Sequence, residues 1–109
     1  MNRLFVYGTL APGRPYEHVL KNLKGTWQPS SVKGRLEEQD WGNNDMGYPG
    51  IVLDSYGYEV NGYVFTSEEL DEKWDFLDNF EGDEYERVMT QAKLQNGDRV
   101  NAYIYTLRD

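Results

Sequence analysis

The chain contains no cysteine. Disulfides, thiolate metal sites and cysteine nucleophiles are therefore excluded together. Histidine occurs once, as His18, with no Ser/His/Asp constellation around it, and a solvent-exposed position on a helix is expected for it. Basic residues are scarce, 11 Lys and Arg against 19 Asp and Glu, for a net charge of −8. A general nucleic-acid binder needs a basic footprint to neutralise phosphates, and an anionic lipid surface repels a chain of this sign. No apolar run is long enough to span a bilayer, and the opening MNRLFVYGTL is too short in apolar residues for a secretion signal. The expectation is a cytoplasmic protein with no nucleic-acid or membrane partner, acting on small molecules or binding other proteins.

What is present suffices for one core. The 109 residues are the length of a single domain, read here as 1–109, with 39% hydrophobic and 15% aromatic residues. Disordered chains are poor in aromatic and β-branched residues, so this composition is that of a folded protein.

Leu4-Phe5-Val6-Tyr7 is a short apolar run without alternation, as in a strand covered on both faces. Gly8-Thr9-Leu10 and the Pro- and Gly-containing stretch 11–15 then read as a loop. A short helix is expected over Tyr16–Leu23, with Tyr16, Val19, Leu20 and Leu23 on one face. The signal from Trp27 to Asp45 is weak: Ser31–Leu36 reads as a strand and residues 37–45 as a polar loop. Gly47-Tyr48-Pro49-Gly50 reads as a turn into the strand Ile51–Leu53. Tyr58–Phe65 is a further strand, whose internal Gly62 marks a bulge or a close backbone approach.

The clearest helix follows. Thr66 and Glu69 have capping-box spacing, and Leu70, Trp74 and Leu77 form an apolar stripe before Gly82 ends the helix. Tyr85–Leu94 and Arg99–Leu107 are paired strands around an Asn96-Gly97 turn. On the second arm Val100, Ala102 and Ile104 alternate with Asn101, Tyr103 and Tyr105. The fold class is α+β, mostly antiparallel, with two helices.

Two places depart from what a plain core or surface needs. Continuing the stripe from Leu70, Trp74 and Leu77 lands on Glu81, because eleven residues at about 100° return almost to the starting angle. An inward carboxylate, at a helix C-terminus and in a segment where ten of the nineteen acids lie between Glu68 and Glu86, is pushed toward a raised pKa. That is the range of a general base near neutral pH. The alternative is a structural carboxylate that pairs with Arg87 or caps backbone amides. The second place is Tyr7-Gly8-Thr9-Leu10, where backbone N–H groups after a buried strand can form a small anion-binding concavity, or an ordinary turn. It lacks the glycine spacing of a phosphate-binding loop. The run from Asp78 to Glu84 has the wrong spacing for a calcium loop, and no metal site is expected.

Tyr7-Gly8-Thr9-Leu10 after an N-terminal strand, together with Leu77-Asp78-Asn79-Phe80-Glu81-Gly82 and Tyr85-Glu86-Arg87, resembles the γ-glutamylcyclotransferase-like family. The resemblance is closest to its compact branch, which includes the γ-glutamylamine cyclotransferases. It extends from Leu4 to Tyr105, and Tyr48-Pro49-Gly50 and Tyr103-Ile104-Tyr105 take part in it. It departs from the family's pattern at Asn61-Gly62-Tyr63, where many relatives carry an acid after the glycine. The resemblance implies a small, mainly antiparallel β-barrel with two short-to-medium helices. It also implies conversion of a γ-glutamyl amine or amino acid to 5-oxoproline without a cofactor. Glu81 falls on the family's catalytic glutamate and Tyr7, Gly8, Thr9 and Leu10 on its substrate-holding loop. A pocket-lining tyrosine falls on Tyr105, with Tyr103 as the alternative.

Overall fold

The computed structural model describes residues 2–7, 20, 23–38, 49–81 and 85–107. Six strands carry it: β1 (Arg3–Val6), β2 (Thr26–Glu38), β3 (Pro49–Leu53), β4 (Tyr58–Thr66), β5 (Tyr85–Leu94) and β6 (Arg99–Leu107). A 3-10 helix over Glu68–Glu72 and the helix α1 (Trp74–Glu81) connect β4 to β5. Hydrogen bonding runs from β1 to β4, β2, β5, β6 and back to β1, which closes a five-stranded barrel. The extra strand β3 lies between β2 and β6. Only the β1–β6 and β3–β6 pairs are parallel. This is the mainly antiparallel α+β barrel that the sequence implies.

Alternation along the strands sorts the apolar residues into two layers. Phe5, Val32, Ile51, Val60, Val64, Ala92, Ala102 and Ile104 pack together as one buried cluster that fills the barrel. Leu4, Val6, Phe65 and Tyr105 come off the other face of the same strands and pack against Leu20, Leu70 and Leu77. The apolar run Leu4-Phe5-Val6 is thus covered on both sides, the condition under which alternation disappears. Each fully buried side chain of this size contributes about 1.5–3 kcal/mol relative to exposure, so the helices add a second core outside the first.

The β5–β6 hairpin forms as its sequence reads. Val88 pairs with Ile104 and Lys93 with Arg99, and Gly97 takes φ +94° in the turn. In β4 the register past Gly62 is continuous, so Gly62 makes a close approach and no bulge. A Cβ there would stand 2.2 Å from the Val6 carbonyl oxygen.

Two expectations are corrected. The strand expected over Ser31–Leu36 is part of a longer one, Thr26–Glu38, which includes Glu37 and Glu38. Residues 26–31 carry no apolar alternation, yet their backbone pairs with β4, and Ser30 and Ser31 also pair with β5. Pairing to strands distant in sequence, which local pattern does not report, holds this part of the strand. The helix expected to start at Thr66 is also two helices. Thr66 ends β4, and Ser67 is the cap, its Oγ accepting from Glu69 N–H at 3.2 Å. The Glu69 carboxylate accepts instead from Lys24 N–H at 3.0 Å. Lys73 N–H closes the 3-10 turn onto Leu70 O, and α1 starts at Trp74.

Of the helix expected over Tyr16–Leu23, only Leu20 and Leu23 lie among the described residues. Leu20 is helical and completely buried, and Leu23 donates its N–H to Leu20 O and packs on the same cluster. Among the described residues no helix is long and apolar enough to cross a membrane.

Candidate functional site

The break at Lys73 changes how Glu81 is placed. Leu70 and Glu81 do not belong to one continuous helix, so the angle carried from Leu70 no longer applies. Within α1 the stripe persists. Leu77 is buried against the sheet, Trp74 packs on the same cluster, and Glu81 is one turn beyond Leu77 as the last residue of the helix. The last turn carries no basic residue, so nothing on α1 offsets the negative potential of its carbonyl end. The side chains of Phe80 and Glu81 lie outside the described residues, as do Gly8, Thr9, Leu10 and His18.

One turn before Glu81, Asp78 anchors α1 to the hairpin. Its Oδ1 accepts from the Tyr105 hydroxyl at 2.7 Å and from Arg87 Nε at 3.0 Å. Its Oδ2 accepts from Arg87 Nη2 at 3.3 Å. The cation that the sequence offers as a structural partner for Glu81 therefore gives two donors to Asp78. Arg87 also packs against a pair of rings, its guanidinium carbon 4.8 Å from the Trp74 centroid and 4.6 Å from that of Tyr103. Trp74 and Tyr103 meet edge to face at 5.0 Å. Guanidinium suits this position because it forks onto a carboxylate and packs against aromatic rings.

Tyr7 follows β1 and stacks on Phe5 at 6.3 Å, within the barrel layer. Its hydroxyl donates to the Tyr105 carbonyl oxygen at 2.5 Å and accepts from Ile51 N–H at 3.0 Å. The phenol thereby bridges β3 and β6 near their parallel contact at Ile51 and Thr106. Tyr105 is the common member: its carbonyl receives Tyr7 and its hydroxyl reaches Asp78. Tyr105 is buried, whereas Tyr103 is half-buried and stacked on Arg87. The end of β1 and the last turns of α1, far apart in sequence, are thus tied through one residue of β6.

Sequence reasoning missed Asp78 and Arg87 as a pair because Asp78 is one acid among many in that segment. The available signal was spacing: Trp74, Leu77, Asp78 and Glu81 at i, i+3, i+4 and i+7 share one helical face. Removing this anchor has a measurable cost. Asp78→Ala leaves a stacked guanidinium and a phenol without their acceptor. With Asp78 42% and Arg87 24% exposed, solvent screens part of the loss, and about 1–3 kcal/mol of destabilisation is expected in urea melts. Asp78→Asn keeps an acceptor at Oδ1 and should lose less. Equal stability of all three proteins would remove Asp78 from its anchoring role.

Among the described residues no group of three His, Asp or Glu side chains is placed to hold a metal ion. The tie chemistry is that of positioning: fixed donors, a fixed carboxylate and a helix end of negative potential beside it.

Comparison with known proteins is consistent with this reading of the fold. An AIG2-like protein from Mus musculus superposes with a TM-score of 0.72 at 24% identity, over 97% of this chain and 76% of that one. A protein from Arabidopsis thaliana gives a TM-score of 0.70 at 27% identity, over 99% and 69%. A gamma-glutamyl cyclotransferase gives 0.75 at 18% identity, over 99% and 67%. No curated protein sequence matches the chain. The model of the family described as gamma-glutamyl cyclotransferase, AIG2-like, matches residues 4–109, nearly the whole sequence, and the chain belongs to that family.

Proposed function

We propose that the protein is a cyclotransferase that converts a γ-glutamyl amine or γ-glutamyl amino acid to 5-oxoproline and the free amine, with Glu81 as general acid/base. The observation that carries this reading is the tie from Tyr7 through Tyr105 to Asp78, which brings the strand leading into Gly8-Thr9-Leu10 together with the end of α1, where Glu81 stands.

The substrate's own α-amine attacks its γ-carbonyl carbon. The nucleophile is tethered, so no enzyme nucleophile or cofactor is needed and much of the entropic barrier is already met. The amine arrives as an ammonium, and the negative end of α1 attracts it. Glu81 takes the proton that frees the lone pair. A C–N bond forms, and the carbonyl becomes a tetrahedral oxyanion. Backbone N–H groups of Gly8 to Leu10 hold the substrate carboxylate or this oxyanion, the latter worth roughly 10²–10³-fold per donor. As the oxyanion collapses, the γ-amide C–N bond breaks, Glu81 returns its proton to the leaving nitrogen, and the ring nitrogen gives up its second proton, so that the amine departs as an ammonium and the lactam keeps one N–H. Tyr105 takes its place in the wall of the site.

The test is 5-oxoproline release, followed by mass spectrometry over a panel of γ-glutamyl amines and dipeptides. Product from at least one substrate, with the matching free amine, supports the reading. Saturable binding of a panel member without product would instead assign the chain to a non-catalytic module that uses the same pocket.

A further inference from the structure

A cleft lies at the end of the hairpin away from Arg87. Arg99 opens β6 opposite Lys93, whereas Arg87 pairs with Tyr105. At ~3.3 Å per residue these two levels of the hairpin are about 20 Å apart. The cleft, with a volume of about 720 Å³, opens where β2 leaves β5 and turns toward β3. That volume is in the usual range for small-molecule sites.

Its charges break a local rule. Lys93 and Arg99 are directly opposed across the two strands, a like-charge pairing that destabilises a sheet. Lys33 brings a third cation to the same cleft. Compensation is partial, and Glu59 stands opposite Lys33 in the β2–β4 register. Lys93 reaches Glu59 at 3.5 Å with both side chains about half exposed, and Asp54 is paired with Arg35 at 3.2 Å. Neither Lys33 nor Arg99 has a salt-bridge partner among the described residues. Hydroxyl and amide groups of Ser31, Thr90 and Gln91 line the cleft beside them. On a chain of net charge −8, a cleft lined by three cations and two acids is a local reversal, and screening over about 8 Å leaves the near charges in command. Unfavourable pairings that packing does not repay mark sites kept for function.

We propose that this cleft binds a small organic anion, through carboxylate or phosphate groups received by Lys33, Lys93 and Arg99. It is separate from the Tyr7–Tyr105–Asp78 region and does not rest on the cyclotransferase reading.

Citrate and pyrophosphate serve as carboxylate and phosphate probes, titrated at constant ionic strength set with NaCl. Thermal unfolding and amide chemical shifts of the whole chain are followed. A saturable rise in Tm is expected, with shifts at Ser31–Lys33 and Thr90–Lys93 and little change at Asp78. Response to citrate alone points to organic acids and response to pyrophosphate alone to phosphate esters; either supports the site. The K33Q/R99Q variant is expected to bind at least about tenfold more weakly. Without ligand it should be about as stable as the parent, because relief of the Lys93–Arg99 opposition offsets the loss of Lys33 opposite Glu59. No saturable response up to about 10 mM, a Kd too weak for a specific site, overturns the proposal. So does a response that persists undiminished in K33Q/R99Q.

Discussion

Glu81→Gln is expected to lower 5-oxoproline release by roughly 10²–10⁴-fold, the range of a lost general acid/base. The amide has nearly the shape of the carboxylate but cannot accept the proton of the substrate ammonium at neutral pH. The attacking amine then stays protonated and the leaving amine departs unprotonated. The fold should be indifferent. Glu81 ends α1, whose attachment to the sheet runs through Leu77 and through Asp78, Arg87 and Tyr105. Unfolding free energies of the two proteins from urea melts should therefore agree within about 0.5 kcal/mol. Loss of turnover at unchanged stability identifies a chemical role. Retained turnover sinks the assignment of Glu81, and a large loss of stability would return it to a structural carboxylate.

Gly62→Ala should destabilise the protein by at least about 3 kcal/mol, at or above the upper end for overpacked cores. The added methyl carbon would lie 2.2 Å from the Val6 carbonyl oxygen and 2.7 Å from Phe5 Cζ. A side chain could rotate away, but the oxygen is backbone of β1, which is paired to β4 over Arg3–Val6 and touches β6 at Leu4. Relief requires β1 to move, and Tyr7 follows β1 directly. Chemical denaturation checks the stability. The double variant Phe5→Ala/Gly62→Ala separates the two obstacles, since truncating the ring leaves the oxygen in place. If Gly62→Ala costs little further stability when measured against Phe5→Ala alone, the ring, not the strand, set the limit.

Where the strand pattern is strong, the sequence reads directly. The hairpin from Tyr85 to Leu107 has alternation in its second arm and Asn-Gly in its turn, and both act over a few residues. Leu4 to Val6 reads as buried because every position is apolar. The start of β2 fails this test: Trp27-Gln28-Pro29-Ser30-Ser31 is held by pairing to β4, a partner some thirty residues away. The cap shows the same limit at shorter range. Thr66 and Ser67 both suit an N-cap, and Thr66 is excluded because its backbone is already paired with Arg3 and Thr26.

The candidate site divides in the same way. The two motifs that carry the family resemblance, around Tyr7 and around Glu81, are contiguous in sequence and visible without coordinates. Their connection is not. The acidic segment offers many carboxylates, and although spacing puts Asp78 on the face of Trp74 and Leu77, nothing local names its partners. Only closure of the barrel brings Arg87 and Tyr105 to Asp78, and Tyr7 to Tyr105 and Ile51.

By itself the sequence determined composition class, the alternating strands, the hairpin and the two motifs, because each depends on neighbours a few residues apart. Tertiary structure decided the length of β2, the division of the helix at Lys73, the residue that caps it and the carboxylate that anchors α1. Each of these is a competition between near-equal local choices, settled by hydrogen bonds and burial from strands distant in the chain.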